Sequence, residues 1–170
     1  PDIVLSTLNA RYIHSAFGLR YLYANLGELR DRAEIIEFTI DQRAIDIAEK
    51  LLTHSPKVIG LGVYIWNAEL TLQLVQTLKQ LRPQLIIILG GPEVSYETEE
   101  QELSRWADFI ITGEGDLSFY ELCQKLLAGK KPLLKIIPGL APQLDELKRP
   151  YKFYSDQDLE NRVLYVEASR

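Results

Sequence analysis

The stretch Leu85-Ile86-Ile87-Ile88-Leu89-Gly90-Gly91-Pro92-Glu93 decides the reading of the fold. An unbroken apolar run that meets a double glycine and a proline reads as a strand buried on both faces, ending in a tight turn. Phe109-Ile110-Ile111-Thr112 runs into Gly113-Glu114-Gly115-Asp116 in the same way. A helical pattern follows each turn. Strands covered on both faces belong to a parallel sheet flanked by helices. In such a sheet the ligand sits over the carboxyl ends of the strands. Glycines there let backbone approach a ligand, because no Cβ intervenes. The two turns therefore mark where the chain binds something.

The same alternation continues on both sides of these turns. Strands are expected over 2–8, 34–40, 57–64, 85–89 and 109–112, and helices over 15–29, 44–52, 67–81, 97–105 and 118–127. Phe17, Tyr21, Leu22 and Leu26 mark the apolar face of the first helix. Ile45, Ala48, Leu51 and Leu52 do so for the second, and Leu70, Leu74, Leu78 and Leu81 for the third. The pattern predicts an α/β, Rossmann-like (flavodoxin-like), five-stranded parallel sheet, doubly wound, with a C-terminal linker. The expected strand order is 2-1-3-4-5 with right-handed crossovers. After residue 128 the texture changes: Pro132, Pro138, Pro142 and Pro150 punctuate short apolar pieces. Residues 1–130 read as the domain, 131–161 as an edge hairpin and linker, and 162–170 as the first strand of a further domain.

Composition narrows the function classes. The chain has 170 residues, 46% hydrophobic and 25% charged, in the ordinary range for a globular protein. Net charge is −5 and there is no lysine- or arginine-rich run, which argues against nucleic acid as a partner. Cys123 is the only cysteine, so no disulfide framework exists; it reads as a small core residue in a cytoplasmic protein. No apolar run approaches the roughly 20 residues of a membrane span, and no signal peptide is visible. Trp106 reads as core, His54 as solvated, and Lys130-Lys131 as a solvated pair at a helix end.

Three further stretches complete a pattern. Leu5-Ser6-Thr7-Leu8-Asn9-Ala10-Arg11-Tyr12-Ile13-His14-Ser15-Ala16-Phe17-Gly18-Leu19-Arg20-Tyr21-Leu22 opens the chain, Gly60-Leu61-Gly62-Val63-Tyr64 forms the third strand, and Val163 to Arg170 closes it. With the two glycine turns in order between them, the chain resembles the N-terminal cobalamin-binding domain of cobalamin-dependent radical S-adenosylmethionine enzymes. That family includes methylases and cyclases, such as the anaerobic oxidative cyclase of chlorophyll synthesis. The resemblance covers essentially all of the sequence. It implies cobalamin as cofactor. In the longer protein it also implies a 4Fe-4S cluster, S-adenosylmethionine and a downstream radical domain as the partner of this one. The cluster motif, CxxxCxxC, would follow Arg170. The isolated chain is then expected to lack radical activity.

The resemblance also suggests where the cofactor lies. Gly90 and Gly91, with Pro92 and Val94, are either a tight strand-to-helix turn or the neighbours of the cobalamin nucleotide tail. Glu93 either accepts from corrin amides or biases a helix start. Gly113, Glu114, Gly115 and Asp116 either form a turn with Asp116 as an N-cap or border the corrin. Their carboxylates argue against a bare pyrophosphate site. Tyr64 and Trp66 form a core lid or pack on the corrin, with Asn67 capping the third helix. The loop holding Asn9, Ala10, Arg11, Tyr12, His14, Phe17 and Gly18 is expected to cover the lower corrin face. Domains that ligate cobalt through histidine carry DxHxxG, in which an acidic partner orients the imidazole. Here Tyr12 stands where the Asp belongs and Gly18 comes one residue late. No cobalt ligation by His14 is expected.

Two other classes remain open. A receiver needs carboxylates after strands one and three, where this chain has Ser6-Thr7-Leu8-Asn9 and Tyr64-Ile65-Trp66-Asn67. A dinucleotide site needs GxGxxG after strand one, which residues 9–18 do not supply. A degenerate interaction domain without cofactor is the other alternative.

Overall fold

The computed structural model describes residues 1–11, 16–96, 98, 101–140 and 145–162. Six strands form one sheet: β1 (Ile3–Asn9), β2 (Ala33–Thr39), β3 (Val58–Gly62), β4 (Ile86–Gly90), β5 (Phe109–Thr112) and β6 (Ile136–Pro138). Their order is β2-β1-β3-β4-β5-β6 and every pairing is parallel. The helices are α1 (Phe17–Ala24), α2 (Ala44–Thr53), α3 (Ala68–Leu81), α4 (Glu102–Trp106), α5 (Asp116–Leu127) and α6 (Asp156–Asn161). The doubly wound, Rossmann-like sheet expected from the sequence is present, with one strand more.

That sixth strand replaces the expected edge hairpin. Ile136 and Ile137 pair with Ile110 and Ile111, and parallel to β5. A parallel strand must arrive by a crossover, and α5 supplies it.

Period-two alternation divides the sheet into two apolar faces. Val4, Leu8, Ile59, Leu61, Ile87, Leu89 and Ile110 meet Ile47, Leu51, Leu74 and Leu78 of α2 and α3. Ile3, Leu5, Val58, Ile88, Phe109 and Ile111 meet Leu19, Phe119, Leu122 and Cys123 of α1 and α5.

Helix phases differ from expectation at three places. Ile45 is 48% exposed while Ile47 is fully buried; residues two apart lie on nearly opposite sides of a helix. Leu81, at the end of α3, is half exposed. The first helix stops at Ala24, where Asn25 Nδ2 donates to Tyr21 O and Gly27, at φ +54°, turns the chain into a 3-10 turn over Gly27–Arg32.

Candidate functional site

A groove of about 230 Å3 opens on the α1/α5 face over the carboxyl ends of β3, β4 and β5. Three glycines make its floor: Gly60 and Gly62 of β3 and Gly90 of β4. Gly62 stands beside Gly90 in the register, and Gly60 lies two residues back on the same face. Ile88 and Ile111 complete the floor, and Gly18, Leu19 and Leu22 of the α1 segment form one wall. Phe119 of α5 and the turn Gly113-Glu114-Gly115-Asp116 form the other.

Each glycine answers a different demand. A Cβ on Gly60 would stand 2.8 Å from the Phe119 ring, so this glycine lets α5 approach the sheet. A Cβ on Gly91 would come within 2.5 Å of the Val63 carbonyl oxygen. Its φ of +107° and ψ of 171° are in addition a conformation open in practice only to glycine. Gly91 is thus required by the close approach of the chain leaving β4 to Val63, just past β3, whatever the ligand. Gly90 is different. A Cβ there would meet only the Ile111 carbonyl oxygen, at 3.8 Å, and would project into open groove.

The groove brings together eight of the sequence-selected residues: Gly18, Tyr64, Gly90, Gly91, Gly113, Glu114, Gly115 and Asp116. Burial pushes the Tyr64 phenol above its ordinary value, so it stays protonated. Asp116 is the first residue of α5 and buried; the N-cap position belongs to Gly115. Among the described residues no lysine or arginine lines the groove. Two carboxylates without a lysine or arginine among those residues make a poor site for a bare pyrophosphate.

The other candidates have different places. Asn67 is fully buried and does not cap α3 with its side chain. Its Oδ1 accepts from Tyr64 N at 2.8 Å, and its Nδ2 donates to Leu8 O at 3.0 Å and to Thr7 Oγ1 at 3.2 Å. It pins the end of β1 to the loop after β3. Trp66 stacks on Tyr64 with ring centroids 4.6 Å apart and donates to Leu8 O. Trp66 and Pro92 are exposed, Glu93 is half-buried, and none of the three lines the groove. Val94 is fully buried core. Ala10 and Arg11 are exposed, and Phe17 is half-buried beside Tyr151. Tyr12 and His14 lie outside the described residues, as does the terminal stretch 163–170.

Sequence reading missed Gly60 and Gly62 as floor residues. The signal was available: two glycines at i and i+2 in a strand bare one face of the sheet.

Behind α1 lies a buried charge cluster. Glu37 Oε1 accepts from Ala16 N at 2.6 Å and from Asn9 Nδ2 at 3.0 Å. Its Oε2 accepts from Arg162 at 2.6 Å and Arg20 at 2.9 Å. Asp158 accepts from Arg20 at 2.9 Å and from Arg162 at 3.1 Å. Burial would raise the Glu37 carboxyl, but the Arg20 hydrogen bond and charge, helped by Asn9 and Ala16, hold it below its ordinary value. Burial would also raise Asp158, and the Ser155 backbone N–H together with Arg20 outweighs it.

Cys123 takes no part in the groove. It is fully buried, and burial pushes its thiol up to about 12. Because the thiolate is the reactive form, iodoacetamide at pH 8 should leave the folded chain unmodified. Mass spectrometry checks this; labelling at a rate equal to that in urea would contradict the burial. Among the described residues no group of three His, Cys, Asp or Glu side chains could hold a metal ion, and no helix is long and apolar enough to cross a membrane.

A parallel α/β sheet with a bare glycine floor at its strand ends defines a ligand-binding domain of the Rossmann-like class. The B12-binding domain family matches residues 3–123, and the chain belongs to that family. It is similar to the cobalamin-dependent radical SAM methyltransferase TokK of Streptomyces tokunonensis, 28% identical over 87 residues, covering 51% of this chain and 13% of that protein. It is also similar to the uncharacterized methyltransferase PH0819 of Pyrococcus horikoshii, 27% identical over 125 residues, covering 73% of this chain and 27% of that protein. The fold is shared with the cobalamin-dependent S-adenosylmethionine radical enzyme OxsB, solved with aqua-cobalamin bound. That match has a TM-score of 0.66 at 18% identity and covers 87% of this chain and 24% of that one. The chain therefore spans about a quarter or less of the length of these relatives.

Proposed function

We propose that the chain holds cobalamin base-off, with the nucleotide tail in the glycine groove and the corrin over the strand ends. The bare backbone at Gly90 carries this reading. Among the described residues nothing fills the space its missing Cβ leaves, and open backbone at a strand end suits the close approach of a ligand. Size supports a partial fit. A pocket for a whole drug-sized ligand measures roughly 300–1,000 Å3. At about 230 Å3 the groove suits the flat aromatic end of a larger molecule whose bulk lies outside.

Gly90, Gly113 and Gly115 would offer backbone to the tail, and Leu19, Leu22 and Phe119 would grip its ring. Glu114 and Asp116 suit a ligand rich in amide donors, as the corrin rim is. The loop over 9–17 would cover the lower corrin face, without a cobalt ligand from His14. Bound cobalamin supplies a cobalt centre able to carry a methyl group; the protein binds, orients and shields it. This chain has one cysteine, and it is buried, so it cannot hold a 4Fe-4S cluster, which takes several thiolates. The cluster, S-adenosylmethionine and the radical domain would belong to the rest of a longer, cytoplasmic methyltransferase or oxidative cyclase, with residues 1–130 as its cobalamin domain.

The test adds hydroxocobalamin to the purified chain and follows corrin absorbance through gel filtration. Retained absorbance is expected; a folded chain that elutes colourless would overturn the proposal and favour an interaction domain without cofactor. Gly90→Val should abolish retention while leaving the urea midpoint close to wild type, because its side chain fills the groove rather than the core. Undiminished binding by this variant would move the tail elsewhere.

A further inference from the structure

The family match ends at residue 123, yet the chain beyond it is packed against the groove wall. Helix α1 lies between the sheet and the segment 148–162. Gly18, Leu19 and Leu22 turn one side of α1 to the groove. On the other side Phe17 stacks with Tyr151, Tyr23 meets Phe153 edge-on, and Arg20 lies over the Tyr154 ring. Asn25 exchanges hydrogen bonds with the Lys148 backbone in both directions. The deepest tie is ionic. Asp158 of α6 and Arg162, the residue just past that helix, reach Arg20 of α1 and Glu37 of β2, with each of the four side chains less than a tenth exposed.

We propose that Asp158 and Arg162 are positioning residues for the cofactor groove. Through Arg20 and Glu37 they fix where α1 stands against β3 and β4, and so set the width of the groove. The functional unit of this chain then runs to Arg162, beyond the matched domain. The proposal rests on the cobalamin reading above for its functional consequence; the mechanical tie stands on the contacts alone. Burial gives the tie its stiffness. Charges out of water are held to one geometry, because any other leaves them unpaired. A surface helix held by exposed ion pairs would have no such authority over α1.

The test uses the full chain with Asp158→Asn and Arg162→Gln combined. One negative and one positive charge go, and the Arg20–Glu37 pair stays intact, so the core remains neutral and paired. Hydrogen exchange of the apo protein should show the amides of Phe17–Ala24 exchanging faster, with those of Ala68–Leu81 unchanged. Hydroxocobalamin should bind about tenfold more weakly, within the usual range for coupling between a supporting element and a site. Unchanged exchange in α1, or unchanged affinity despite faster exchange, would overturn the positioning role. A wild-type chain that binds no hydroxocobalamin would instead overturn the cobalamin reading, and the exchange result would still decide the tie.

Discussion

Arg20→Met is expected to destabilise the chain by about 3–5 kcal/mol, the usual cost of removing one partner from a buried ion pair. Arg20 is 3% exposed and satisfies Glu37, Asp158 and the Ala16 carbonyl at once. Without it Arg162 is the one cation that the described residues leave to two buried carboxylates. Against a total stability of about 5–15 kcal/mol, the loss should move the urea midpoint far to the left. Adding Glu37→Gln should recover part of it by removing the surplus charge. A single variant within about 0.5 kcal/mol of wild type, as for an ordinary surface change, would show the cluster to be solvated.

The same cluster sets the acid response. Glu37 and Asp158 are both held below their ordinary values in the folded chain. The unfolded chain therefore takes up their protons first as pH falls. Their stabilisation is complete above the ordinary carboxylate range, about pH 4–5, and is lost as pH falls through the depressed folded values. Stability measured between pH 7 and pH 3 should fall more steeply in wild type than in Glu37→Gln.

Gly91→Ala should be far more damaging than the same change at its neighbour Gly90. Strained backbone at this φ and ψ costs about 1–3 kcal/mol for a residue with a Cβ. Overpacking against the Val63 backbone adds about 1–3 kcal/mol, since backbone cannot rotate aside as a side chain can. The neighbouring Gly90→Ala, whose Cβ meets open space, should leave stability within about 0.5 kcal/mol of wild type. Urea unfolding of the two variants side by side checks the contrast. Equal midpoints would show that Gly91 does not approach the Val63 backbone as closely as the structure indicates.

Local rules made much of this protein readable. The apolar runs at 85–89 and 109–112 gave β4 and β5 to within a residue, because a strand buried on both faces admits almost nothing else. The glycine turns that follow them do line the groove. Asp116 is the first residue of α5 rather than its N-cap, and Asn67 holds the N-cap position of α3 without capping it by its side chain, because residue type says nothing about a competing partner. Asn67 gives its amide to Leu8, a residue 59 positions away.

What the sequence determined by itself is the alternation of strands and helices, the sheet edge where the groove opens and the family. Each is written in residues near one another along the chain. Only the tertiary structure decided that 136–138 joins the sheet in parallel, that three glycines from two strands form one floor, and that Glu37 meets both Arg20 and Arg162, the latter 125 positions away. Glu37 reads along the sequence as one polar residue in a strand. Its meaning depends on Arg20, Asp158 and Arg162, and no local pattern encodes which distant charges a fold will bring into the same dry space.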